Sequence, residues 1–108
     1  MYQSSVILVI GTDCTDPGKN EEFSRWYSEI HIPEVLQVPG MLSATRFENA
    51  EGNEGYPKFL TIYQLENEEA VRTFKSHRKK QQAGEIPDFT WGPKFEIKWF
   101  KAYRRLTT

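Results

Sequence analysis

The stretch Asn20-Glu21-Glu22-Phe23-Ser24-Arg25-Trp26-Tyr27-Ser28-Glu29-Ile30-His31-Ile32-Pro33 decides how this chain folds. Phe23, Trp26, Tyr27 and Ile30 recur at the i, i+3, i+4, i+7 spacing of one helical face, with Ser24, Arg25 and Ser28 turned away. Asn20 ahead of two acidic residues reads as the capped start, since its side chain can accept from free N–H groups and the acids complement the positive end of the helix dipole. Pro33 cannot donate a backbone hydrogen bond and disfavours helix at Ile32. A break is therefore expected there, with a short further turn through Leu36 and an end at Val38-Pro39-Gly40.

Upstream, Ser5-Val6-Ile7-Leu8-Val9-Ile10 is continuously apolar and β-branched, as a strand buried on both faces would be, and it is expected to stop at Gly11. Thr12 to Lys19, with Asp13, Asp16, Pro17 and Gly18, reads as a loop. Downstream, Met41 to Glu48 alternates as a strand, with Leu42, Ala44 and Arg46 on one side. The polar stretch Glu51 to Gly55 turns the chain into a third strand, Lys58 to Leu65, rich in aromatic and β-branched residues. Asn67-Glu68-Glu69 repeats the capping pattern. Ala70, Val71, Phe74, His77 and Gln81 form a thinner helical face that ends at Gly84, with Arg78, Lys79 and Lys80 in the last turns. After a linker containing Pro87, Gly92 and Pro93, Phe95 to Arg104 forms the last strand, with Ile97, Trp99 and Tyr103 on one face and Phe100 on the other.

The order βαββαβ in 108 residues is an α+β fold of ferredoxin-like type, in which a four-stranded antiparallel sheet carries two helices on one face. The other sheet face is left with apolar side chains that need covering. Two sheets packed face to face about a two-fold axis would cover it, so a homodimer is expected, filled by Phe47, Trp99 or Phe100 according to register. With 14 basic against 15 acidic side chains the chain has no electrostatic footprint for nucleic acid or an anionic membrane surface, so neither partner is expected. The single cysteine, Cys14, excludes an internal disulfide framework. With no leader or membrane-length apolar run either, the expected location is cytoplasmic.

Phe23-Ser24-Arg25-Trp26-Tyr27-Ser28-Glu29-Ile30-His31-Ile32-Pro33, followed by Val38-Pro39-Gly40-Met41 and Ala44-Thr45-Arg46-Phe47, resembles the EthD-like branch of the dimeric α/β-barrel proteins. In that branch a helix carrying F-x-x-W-Y-x-x-x-H-x-P leads through V-P-G into a strand ending in an arginine and an aromatic residue. The resemblance covers the first half of the chain in residues and the second half in order of elements. It implies one dimeric α/β-barrel domain over residues 1–108 and a pocket in each subunit between helices and sheet. Relatives on this scaffold include polyketide cyclases, muconolactone-type isomerases, dehydratases of aromatic polyketides, cofactor-free oxygenases and haem-degrading enzymes, so the fold alone does not choose a reaction.

His31 follows Tyr27 by four residues and lies at the edge of the apolar arc. Its ordinary pKa of about 6.5 suits proton transfer near neutral pH, with Tyr27 as orienting partner. The plainer reading has His31 closing the helix end onto a carbonyl. Trp26 reads as core that could also line a pocket, and Tyr27 as either. Arg46 could hold an enolate or carboxylate, or pair with Glu48 or Glu34 at the rim. Tyr63 and Tyr103 would line the pocket if their strand faces meet the helices, Trp91 and Phe89 are candidate lid residues, and His77 lies on the thin helical face. Neither histidine has companions at metal-ligand spacing, so no metal is expected. Cys14 sits beside acids that would weaken it as a nucleophile. The leading expectation is a cofactor-independent isomerase, cyclase or dehydratase acting on a small apolar aromatic, polyketide or lactone-like metabolite. The alternatives are a non-catalytic small-ligand-binding dimer and a cofactor-free or haem-linked monooxygenase.

Overall fold

The computed structural model describes residues 5–52 and 54–106. Its elements are β1 (Val6–Cys14), a 3-10 turn (Pro17–Lys19), α1 (Asn20–Trp26), a π-helical turn (Tyr27–His31), α2 (Ile32–Val35), β2 (Met41–Glu48), β3 (Phe59–Leu65), α3 (Glu68–Gln82) and β4 (Phe95–Arg104). The strands form one sheet in the order β2-β3-β1-β4, with every neighbouring pair antiparallel.

Alternation sorts the sheet into two faces. Val6, Leu8, Ile10, Thr12 and Cys14 of β1 and Phe59, Thr61, Tyr63 and Leu65 of β3 are all buried beneath the helices. The opposite face is less protected: Ile7, Val9, Leu60 and Ile62 are half-buried there, and Phe47, Trp99 and Tyr103 are exposed. Phe100 is on the helix side, stacked on Phe74 with centroids 6.1 Å apart, so it is withdrawn from the outer face.

Three expectations are corrected. β1 does not stop at Gly11 but runs on to Cys14, so Thr12 to Cys14 is strand rather than loop. Gly11 marks a close approach instead: a Cβ there would lie 2.6 Å from Pro57 Cγ, and the β1–β4 register slips between Gly11 and Thr12. The helix is not capped by Asn20, because Asp16 Oδ1 accepts from the Gly18 N–H at 2.9 Å and opens a 3-10 turn that feeds α1 directly.

The third correction concerns Pro33, which breaks nothing. Tyr27, His31 and Ile32 all keep right-handed helical angles, and the Ile32 N–H bonds back five residues to the Tyr27 carbonyl. The proline's missing N–H thus falls where the i to i−4 ladder has already shifted. One extra residue in the turn advances everything after it by about 100°. Ile30, expected on the buried face, is 41% exposed, and the inward position passes to His31. The following inward residue is Val35, fully buried against Leu8, Tyr63 and Leu65 in the larger core cluster.

Asn67 caps α3 as expected, accepting from the Ala70 N–H at 3.0 Å, and Gly84 follows its end with a φ of 76°. Among the described residues no helix is long and apolar enough to cross a membrane.

Candidate functional site

Phe23, Trp26 and Tyr27, one face of α1 and its π turn, pack with Phe59 and Cys14 into a second buried cluster, separate from the one under α3. His31 closes this cluster. Its ring stacks on Trp26 at 5.0 Å and an interplanar angle of 27°, lies 4.8 Å from the Tyr27 ring, and meets the Phe89 ring edge-on at 5.4 Å. Burial lowers its pKa to about 4; the Arg78 cation adds to the effect, and Glu34 and Asp88 oppose it. At neutral pH the imidazole is uncharged, and its Nδ1 is buried with no hydrogen-bond partner.

Below Tyr27 lies the sheet, where Arg46 of β2 stands directly across from Thr61 of β3, with Tyr63 two residues further on the same face. The Arg46 guanidinium sits over the Tyr27 ring at 4.8 Å and over the Phe59 ring at 5.0 Å. Its Nη1 donates to the Ser24 carbonyl, the Ser24 hydroxyl and the Ser28 hydroxyl, each at 2.9 Å. The expected rim pairing with Glu48 or Glu34 is therefore corrected. Glu48 meets Lys58 at 3.0 Å, and the Glu34 carboxylate accepts both the N–H and the hydroxyl of Thr90. Ser24 and Ser28, read from sequence as turned away, reach Arg46 because β2 passes along that flank of the helix.

Burial raises the Tyr27 hydroxyl's pKa, with the Thr61 and Tyr63 hydroxyls and Arg46 pulling the other way. It raises that of Tyr63 as well, helped by Tyr27 and opposed by Arg46. Burial also lowers the pKa of Arg46 itself. The interior holds a concentration of polar atoms without hydrogen-bond partners: Thr12 Oγ1, Thr61 Oγ1, Tyr63 Oη, Arg46 Nε and Nη2, His31 Nδ1 and Trp26 Nε1. Buried polar groups are nearly always paired, so such a cluster between one helix and one sheet calls for a reason.

The segment from 85 to 94 straps this region from outside. Asp88 pairs with Arg78 at 2.8 Å, Arg78 covers Phe89 at 5.0 Å, and Gln81 Nε2 donates to the Pro87 carbonyl at 3.1 Å. Gly92 presses on Trp26 so closely that a Cβ would stand 2.2 Å from the indole.

Of the residues singled out from sequence, the structure brings His31, Tyr27 and Trp26 together above Arg46 and Tyr63. His77 belongs to the strap's outer side, stacked on Phe89 at 6.1 Å. Trp91 is 86% exposed, so of the two lid candidates Phe89 alone covers His31. Tyr103 pairs with Ile7 on the outer sheet face, away from the helices. Phe95, Thr61 and Thr12 join the site without having been expected; their strand alternation is visible in the sequence, but not which face meets α1. The hollow expected beside His31 is occupied by rings. Cavities of about 390 Å³, bordered by Ser24, Arg46 and Phe59, and about 500 Å³, bordered by Trp26, Ile30 and Gly92, flank α1 without reaching His31.

A family model described as "Domain of unknown function (DUF4286)" matches residues 7–90. No curated protein matches the sequence. Among solved structures, a dimeric ferredoxin-like protein from an uncultured marine organism is similar with a TM-score of 0.63 at 12% identity, covering 97% of each chain. A monooxygenase from the gene ActVA-Orf6 of Streptomyces coelicolor, in complex with the ligand Nanaomycin D, is similar with a TM-score of 0.55 at 16% identity, over 97% of this chain and 90% of that one. An EthD-like protein from Ralstonia eutropha JMP134 gives a TM-score of 0.51 at 16% identity, over 90% and 92%. The fold is that of the dimeric ferredoxin-like α/β barrels, as the helix motif and element order led one to expect.

Proposed function

We propose that this chain, which belongs to the DUF4286 family, is a homodimeric, cofactor-independent enzyme whose His31 takes a proton from a small ring-bearing substrate held between α1 and the sheet. The observation that carries this reading is a neutral, partly buried imidazole packed among rings with its Nδ1 buried and unpartnered. A base of this kind is fully unprotonated at neutral pH, and an acidic C–H or phenolic O–H brought against it supplies the missing hydrogen bond. Proton removal leaves an enolate or phenolate. The donors present for that oxygen are the buried hydroxyls of Tyr27 and Tyr63, with the half-buried Arg46 beside them. Substrate entry then means displacing Phe89 and the 85–94 strap, whose polar latches are few and lie at its edge.

Isomerisation, cyclisation and dehydration all begin with this step and differ in where the electron pair goes next. A second reading, cofactor-free oxygenation, shares the same deprotonation and then consumes O₂; the similarity to a solved monooxygenase favours it. Dimerisation follows from the outer sheet face, where Phe47 and Trp99 remain 49% and 44% exposed in the single chain.

The test is hydrogen–deuterium exchange at the acidic C–H of 2-tetralone in D₂O, followed by NMR. The intact protein is expected to accelerate exchange and His31→Phe to lower that acceleration at least ~100-fold. A variant as fast as the parent, or no acceleration by either, would remove His31 as the base.

A further inference from the structure

Arg46 is anchored on one side and open on the other. All three hydrogen bonds it makes leave from Nη1, while Nε and Nη2 are buried and unpartnered. Those two nitrogens form the side edge of the guanidinium, the edge that grips a carboxylate through two parallel bonds. The rings of Tyr27 and Phe59 cover its faces, not this edge, so the cation–π contacts leave the N–H groups unsatisfied. The nearby acids are committed elsewhere, Glu48 to Lys58 and Glu34 to Thr90. A half-buried guanidinium whose inner edge is shut away from solvent without an acceptor is costly.

The surroundings of that edge carry hydroxyls, which can donate to an anion. Thr61 is Arg46's cross-strand partner, which places the two Cβ atoms about 5 Å apart, and Tyr63 follows on the same face. Both are 0% exposed, and beyond the Tyr27 hydroxyl, which both approach, neither hydroxyl has a partner, nor does that of Thr12 one strand over. A cation edge and hydroxyls thus converge where, among the described residues, no carboxylate is bonded to them.

We propose that the Nε–Nη2 edge of Arg46, with the hydroxyls of Tyr63 and Thr61, is a seat for the substrate's carboxylate, so that the molecule processed is a ring-bearing carboxylic acid. This rests on the reading that the interior between α1 and the sheet takes a small molecule, and it corrects the expectation of a purely apolar metabolite. The Tyr27 ring touches both ends, lying 4.8 Å from Arg46 Cζ and 4.8 Å from the His31 ring. A ligand clamped at Arg46 therefore carries its ring toward the imidazole. The cavity bordered by Ser24, Arg46 and Phe59 brings the surface up to the Arg46 side chain on its Ser24 side.

Calorimetric titration of the full chain with 1-naphthoate and with its neutral isostere 1-naphthamide tests the seat. Naphthoate is expected to bind at least tenfold more tightly than the amide. Arg46→Lys, which keeps the charge but not the fork, should erase that preference, and Tyr63→Phe should weaken naphthoate several-fold without affecting the amide. Tyr103→Phe, on the outer face, should leave both affinities unchanged. Equal affinities for the two probes, no saturable binding of naphthoate, or a preference that survives in both Arg46→Lys and Tyr63→Phe would overturn the seat. Because the readout is binding, a protein that holds naphthoate through Arg46 but shows no His31-dependent exchange keeps the seat and loses the general base, and the converse loses only the seat.

Discussion

Replacing His31 by Phe keeps a ring between Trp26, Tyr27, Phe89 and Phe95 while deleting a titrating group, which isolates the energetic consequence of burying that imidazole. In the unfolded chain it titrates near its ordinary value of 6.5, in the folded chain near 4. Above about pH 6.5 both states are neutral there, and the group contributes no pH dependence. Between about 6.5 and about 4 the unfolded chain binds a proton that the folded chain refuses, so stability falls as pH falls. Below about 4 the loss is complete. A gap of about 2.5 pH units at about 1.36 kcal/mol each amounts to roughly 3 kcal/mol, a large part of a small domain's stability. Urea unfolding of parent and variant at several pH values between about 7 and 4 measures it. The carboxylates contribute alike to both proteins and cancel in the difference, so the parent should lose about 3 kcal/mol more than His31→Phe. Parallel curves, or a histidine NMR titration with its midpoint near 6.5, would show that the ring is not enclosed as described.

Gly92→Ala should drive a methyl group into the Trp26 indole from 2.2 Å, costing about 1–3 kcal/mol, with a lowered Tm and altered tryptophan emission; an unchanged Tm would mean that the strap does not press on Trp26. Trp99→Asp places a charge on the outer sheet face and should shift the protein to monomer in sedimentation velocity. A variant that remained dimeric would move the subunit interface elsewhere.

Much of this architecture is written locally and could be read without coordinates. The bounds of β2, Met41 to Glu48, follow from alternation, and the start of α3 follows from an asparagine cap before two acids. What escaped reading depends on residues far apart in sequence. Gly11 looks like a strand end, and only the approach of Pro57 explains why a glycine stands in mid-strand. Tyr63 and Tyr103 were both legible as strand tyrosines, yet which sheet face meets α1 is settled by the pairing of β1 with both neighbours. Arg46 was legible as an oddity in an apolar strand; that it would be held by two serines on the flank of the helix was not, because serines at those positions look like ordinary solvated residues. The π turn left no sequence signal beyond Pro33, and it changed which of Ile30 and His31 faces inward.

That turn also makes the first helix sensitive to length in a way it is not to composition. Residues 20–27 are phased to the aromatic cluster, and a single surplus residue lets His31 close that cluster while Val35 enters the aliphatic one. Conservative replacements at solvent-facing Ser28 or Glu29 leave this spacing alone. Loss of one codon between them would let the ladder snap back to α geometry, turning either the imidazole or Val35 out to solvent. Gaps in this short stretch, more than substitutions, should therefore separate family members that share the histidine's chemistry from those that share only its fold.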